Sequence, residues 1–535
     1  MHHSWRSALG ALLVSAATLA GPAMAVAQES VLRIAMTAAD VPTTTGMPNN
    51  GFEGMRFLGY PVFDALINWD LSRDDVPADL RPGLAESWSI DPDDQTRWIF
   101  NLRQGVKFHD GSDFDADAVI FNLERFFDDS SPHYDTAGAA ITRARNPLLK
   151  SWERIDDHTI ALTTHYPASY FPYVICYLLI SSPAQFEAVG RDWNRFGEAP
   201  SGTGPFRIVN VQPRVSVELA RFDEYWDPER IAKVDRIRLY PMPEAVTRLA
   251  ALRSGQVDWI EVPPPDAIPS LERAGFDVVT NTYPHIWPYL FNMTEGSPFT
   301  DVRLRLAANY AVDREGLVAL LNGTAMPAAG LFPTDHPHFG EPTHRFTHDP
   351  EMAKSLLAEA GYGPDNPVTA RVMISTSGSG QMLPIPMNEV VQQSLAEVGI
   401  NLEFEVVEWG TMLVAFRNPP FTPPTMNVHA MNVSLVTSDI SYLWRFYHSR
   451  NASPVAFNWG HWLNPEFDAL LASIEAEFDP EAVDAVVPKA HEMIVDQAPW
   501  LFIVHDLNPR AMSSRVQGFV SAQSWFQDLT KVSLE

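Results

Sequence analysis

Apolar positions along this chain alternate between two spacings, and the switches between them mark its elements. Val31 to Met36 (VLRIAM) is a short β-branched run that predicts a strand. SWSI, TRWIFNL and VKF, between Ser87 and Phe108, read as three short strands separated by Asp, Pro and Gly turns. HTIALTTH and VSVELARF alternate with period two. RLAALRSGQVDWIEV (248–262) changes from helical spacing to a strand across Gly255, which makes a βαβ-like unit. The same grammar recurs. VRLRLAANYAVDREGLVALLNG is helical up to Gly323, EMAKSLLAEAGYG stops at Gly361, and EVVQQSLAEVGINLEFEVVEW passes from helix to alternating strand at Gly399. PEFDALLASIEAEF and VVPKAHEMIVDQ predict two further helices, and WLFIVH predicts a strand. The sum is a large mixed α/β protein with proline-rich connections.

One acidic stretch imitates a metal loop. Counting from Asp113, carboxylates occupy positions 1, 3, 5 and 12 (Asp113, Asp115, Asp117, Glu124), most of an EF-hand. That loop needs glycine at position 6, and Ala118 stands there. Ala116, Val119, Ile120, Leu123 and Phe127 instead form an apolar helical stripe. Asp115 then falls at the N-cap and Asp117 in the first turn, where backbone N–H groups and the helix dipole favour carboxylates.

Composition narrows the functional classes. The 535 residues carry 38 Lys+Arg against 66 Asp+Glu, a formal net charge of −28. No basic cluster matches a row of phosphates, so nucleic acid is not an expected partner. Residues 1–27 read as a secretory signal peptide: Arg6, an apolar run from Ala8 to Ala20, then small residues that allow cleavage after Ala25 or Ala27. No cysteine follows to be acylated, so a lipoprotein is not expected. The only cysteine, Cys176, lies in the apolar segment YFPYVICYLLI, and an exported chain without disulfides points to a bacterial periplasm.

Catalytic motifs are absent. His491-Glu492 does not continue into a zinc-binding HExxH, Ser377 to Gly380 has the wrong spacing for a nucleophile elbow, and Gly202-Thr203-Gly204 leads into a strand instead of a phosphate-binding helix. The histidines show no ligand spacing; whether His429, His448, His461 and His505 meet in space is open. Trp287, Trp409 and Trp459 sit beside turns and are candidate walls of a small-molecule pocket.

The block Leu80 to Phe127 (LRPGLAESWSIDPDDQTRWIFNLRQGVKFHDGSDFDADAVIFNLERFF) resembles the signature of the family-5 periplasmic solute-binding proteins of ABC importers, the dipeptide-, oligopeptide-, nickel- and glutathione-binding group. SGTGPFRI, RFDEYWD, LRSGQVDWI, SPFTDVRLRLAANYAVDREGL, DPEMAKSLLAEAGY and NPEFDALL follow in the family's order. The resemblance implies a bilobal α/β fold of the type II binding-protein class with an extra domain. Residues 28–72, 203–284 and 506–535 would form domain I, 73–202 domain II and 285–505 domain III. It implies a non-enzymatic monomer, without cofactor, that carries a peptide or other small polar solute to a membrane permease. A secreted metal-dependent hydrolase and a nickel-complex binder are the alternatives.

For the site, the resemblance places Trp409 in the pocket; Asn432 and Trp287 are further candidate ligand contacts. Peptide binders of the family hold the ligand's ammonium group with an aspartate that falls here at Leu435-Val436. Three readings follow: Asp439 or Asp40 supplies the charge, or the ligand lacks an α-amine and Arg417 holds a carboxylate.

Overall fold

The computed structural model describes residues 29–47, 52–378 and 380–535; the leader expected at 1–27 lies outside them. Two large mixed sheets organise the chain. The first has seven strands in the order Phe276–Val279, Arg510–Ser513, Trp259–Glu261, Val31–Met36, Arg236–Pro241, Ser216–Arg221 and Phe206–Gln212. Val31–Met36 runs parallel to both of its neighbours, and the other pairings are antiparallel. Parallel neighbours require a crossover. Here helix Ala245–Arg253 supplies one, ending at Gly255 with a φ of +72°.

The second sheet follows the order Ala325–Pro327, Trp500–Asp506, His285–Phe291, Ala430–Asn432, Val368–Ser375 and Ile400–Val407, with Leu435–Val436 also paired to His285–Phe291. Val368–Ser375 is parallel to both Ile400–Val407 and Ala430–Asn432, and helix Pro384–Ala396 makes the crossover. Every residue of His285–Phe291 and Trp500–Asp506 is buried, as expected of central strands covered on both faces. The chain passes between the two sheets twice, through residues 280–284 and 507–509.

A separate four-stranded antiparallel sheet, Ala85–Asp91, Asp94–Leu102, Thr159–Thr164 and Leu149–Asp156, carries the acidic stretch beside it. Asp115 caps helix Ala116–Phe127 by accepting the Ala118 N–H at 3.1 Å, Asp117 pairs with Arg154 at 2.8 Å, and Asp113 pairs with Lys107 at 2.5 Å. The carboxylates therefore have separate partners.

Some expectations need correction. VKF is no strand; Lys107 makes only an isolated bridge to Asp113. The long helical run from Val302 breaks into Val302–Ala311 and Arg314–Leu320, because Asp313 caps the second helix by accepting the Gly316 N–H at 2.9 Å. YFPYVICYLLI contains a short helix, Phe171–Ile175.

That helix faces Ser441–Tyr447, on the second-sheet side of the molecule. Tyr170 stacks on Trp444 with centroids 4.1 Å apart, and the Tyr177 and Tyr442 hydroxyls lie 3.2 Å apart. Ser169 donates its N–H to the Glu475 carbonyl and its hydroxyl to that of Ile474, both at 2.8 Å. Arg450 pairs with Glu475 and lies over the Tyr166 ring. Cys176 is buried in this contact, where burial raises its thiol pKa well above the usual value.

Candidate functional site

Between the two large sheets lies a cavity of about 890 Å³. Its walls are the turns that follow the carboxyl ends of the parallel strands. Thr37 follows Val31–Met36, Glu244 follows Arg236–Pro241, Pro263 follows Trp259–Glu261, Thr376 follows Val368–Ser375, and Trp409 follows Ile400–Val407. Crevices at such strand ends are where open α/β sheets bind ligands, because the chain there is free of ladder pairing.

The first-sheet side is built on buried charge. Glu53 lines the cavity and accepts the backbone N–H groups of Thr37 and Ala38 at 2.6 and 2.7 Å. Burial, reinforced by the neighbouring Glu261 carboxylate, lifts its pKa to about 7. Beneath it Glu261, fully buried, pairs with Arg56 and with Arg510 at 3.2 Å and accepts the Trp259 indole N–H at 2.8 Å. Burial pushes the Arg510 guanidinium down to about 10. Arg248, also on the wall, directs its donors at the carbonyls of Met242, Pro243, Glu261 and Val262.

On the second-sheet side Gly378 and Gly380 each lie against a landmark. A Cβ on Gly378 would come within 2.4 Å of the Trp409 ring, and one on Gly380 within 2.1 Å of His285. Only glycine permits both approaches. Gln381 accepts the Trp287 indole N–H at 2.7 Å. Asp506, at the second passage between the sheets, completes the floor.

The expected site residues divide. Trp409 and Arg417 line the cavity, at the start and just beyond the end of helix Trp409–Ala415. Trp287 stands one layer behind, fully buried, as the support of Gln381. Asn432 is also fully buried and donates to the Pro288 carbonyl at 2.9 Å. Asp40 and Asp439 lie outside the cavity lining. Asp40 is exposed, and its Oδ1 accepts the Val41 N–H at 2.6 Å and the Arg214 N–H at 2.5 Å. Asp439 accepts from Ser438 and Ser441 and sits against Tyr173, Cys176 and Tyr177 of the facing segment, where burial lifts its pKa to about 6. Trp459 is a core residue, fully buried.

The four histidines have different partners. His429 accepts the Arg371 N–H, His448 lies beside Asp468, His461 faces Ser453, and His505 is held neutral by burial at a pKa of about 3. Among the described residues no group of three or more His, Cys, Asp or Glu side chains gathers as a metal site. Sequence reasoning passed over Glu53, Arg248, Gln381 and Asp506. Asp506 did leave a signal: an acid closing the apolar strand WLFIVH, followed by a Leu-Asn-Pro turn.

Two lobes joined by two chain passages, with a cavity between them at strand ends, define a two-lobed binding protein. The model of the bacterial extracellular solute-binding proteins, family 5 (middle region), matches residues 79–454, and the chain belongs to that family of ABC-importer binding proteins. It is 27% identical to heme-binding protein A of Haemophilus influenzae, covering 85% of this chain and 84% of that one. It is also 27% identical to probable di/tripeptide-binding protein 5 of Pseudomonas aeruginosa, covering 93% and 96%. The ABC transporter-associated periplasmic binding protein DppA of Helicobacter pylori, solved with the peptide STSA, shares the fold with a TM-score of 0.78 at 23% identity, over 95% of this chain and 98% of that one. Among the described residues no helix is long and apolar enough to cross a membrane.

Proposed function

We propose that the chain, exported and cleaved after Ala25 or Ala27, works as a periplasmic monomer that captures a peptide or similar small polar solute and delivers it to a permease. The observation that carries this reading is the interlobe cavity of about 890 Å³, a volume suited to a small organic ligand, with buried carboxylates on its floor and an exposed arginine on its rim. In this reading Trp409 offers an aromatic face and Arg417 a carboxylate partner. Closing the lobes around the ligand would present the surface a permease recognises.

A thermal-shift screen with di- and tripeptides, glutathione, opine-like conjugates, sugars and nickel complexes tests it. One class should raise Tm in a concentration-dependent way. Absence of a shift with every member would overturn solute capture.

A further inference from the structure

Most charged groups on the cavity wall are already occupied: Arg248 by four carbonyls and Glu53 by two backbone N–H groups. Asp506 differs. Its Oδ1 accepts the Asn508 N–H at 2.6 Å, whereas Oδ2 has only the His285 ring nearby, with Nδ1 at 3.6 Å, beyond hydrogen-bond reach. His285 Nδ1 is itself buried and without a hydrogen-bond partner among the described residues. The two residues are 5% and 3% exposed. Polar groups this deep ordinarily have partners, and the access that Asp506 keeps is to the cavity it lines. Arg56 is near enough to feel the Asp506 charge, but it is paired with Glu261 and donates to Tyr283. The unmet capacity of Asp506 therefore belongs to the cavity it lines.

Trp409 and Arg417 line the same cavity, with Gly378 against Trp409 and Gly380 against His285. We propose that Asp506, fixed by the Asn508 N–H and flanked by His285, is the cation anchor of this protein. It receives the ammonium group of the solute at the passage between the lobes, while Trp409 and Arg417 hold the far end. The assignment rests on the solute-capture reading and adds the ligand class, an amine-bearing zwitterion. An N–H···O contact to Oδ2 would be charge-assisted and shielded from solvent, the setting in which such bonds are strongest. The anchor also falls on a different element from the Leu435-Val436 segment, where the family's peptide binders carry their aspartate.

Calorimetric titration of wild-type and Asp506→Asn protein tests this, using the free-amine peptides Ala-Phe and Ala-Ala-Phe, their N-acetyl forms, and sugars. The amide introduced by the substitution would preserve the oxygen that accepts the Asn508 N–H while removing the charge. Free-amine peptides should bind the wild type, and either N-acetylation or Asp506→Asn should weaken binding by about 30-fold or more. The two changes together should cost no more than one alone, the signature of a direct pair. Binding of sugars or N-acetyl peptides equal to that of free amines, or undiminished binding by Asp506→Asn, overturns the anchor and leaves solute capture standing. No heat with any probe, together with a flat thermal-shift screen, overturns both. If the variant does not fold, the wild-type comparison of free and acetylated peptides decides alone.

Discussion

The two lobes approach each other in two places of opposite character. Around the cavity, polar groups are left incomplete: Asp506 Oδ2, His285 Nδ1 and Gln381 Nε2 have no hydrogen-bond partner among the described residues. At the second place, Tyr170 on Trp444, the paired Tyr177 and Tyr442 hydroxyls, and the two Ser169 hydrogen bonds form a buried contact between chain groups alone, although Arg445 Nε and Arg450 Nε beside it also lack a partner among the described residues. The difference separates two jobs. The aromatic contact can favour closure equally for every solute, and the cavity can then discriminate, because a wrong solute leaves buried polar atoms unmet.

The comparison breaks most severely if the charge beneath the cavity is cut. Glu261→Ala leaves Arg56 and Arg510 without their shared carboxylate, and urea unfolding should show a loss of about 3–5 kcal/mol. Trp444→Ala removes the stacked ring and the indole bond to Glu475, at 2.7 Å. It should cost about 3 kcal/mol and weaken every solute by a similar factor, leaving the ratios between solutes unchanged. A changed ratio would merge the two regions into one.

Asp439 sharpens the same division through pH. Burial raises its carboxyl from the ordinary 3.8 to about 6, so between those values the folded protein holds a proton that the unfolded chain releases. The contribution is full below 3.8 and is lost as pH rises through about 6. Asp439→Asn should therefore be more stable than wild type by about 3 kcal/mol at neutral pH and equal to it under acid conditions. Parallel stability curves for the two proteins would place this carboxyl in water. The smallest expected effect on folding is at the rim: Trp409→Ala should leave stability within about 0.5 kcal/mol and reduce solute affinity by about tenfold, read by titration.

Local grammar was legible in the sequence where one short-range cause decides the structure. Gly255 ends a helix, Asp115 caps one, and the alternation of VSVELARF makes a strand. The site was legible only in part. Trp409 follows the alternating strand that the pattern reveals, whereas the short helix Trp409–Ala415 that carries Arg417 to the cavity shows only in the structure. Trp409 and Trp459 both stand beside a glycine, however, and only packing distinguishes the half-buried wall from the core. Asp506 and His285 lie 221 positions apart and meet because two central strands are neighbours, through the pairing of Ile286 with His505. Asp439 lies outside the cavity lining and is held by its sequence neighbours Ser438 and Ser441, while the burial that lifts its pKa comes from packing that sequence order does not show.

Cys176 gives the aromatic contact a use at the bench. It is the only cysteine in the chain, it sits within the seam between Phe171–Ile175 and Ser441–Tyr447, and its thiol donates to the Tyr173 carbonyl at 3.0 Å. A maleimide reaches it only when the seam parts, and the raised pKa keeps the sulfur protonated until then. Its alkylation rate should therefore report how often this buried region opens in the unmodified protein.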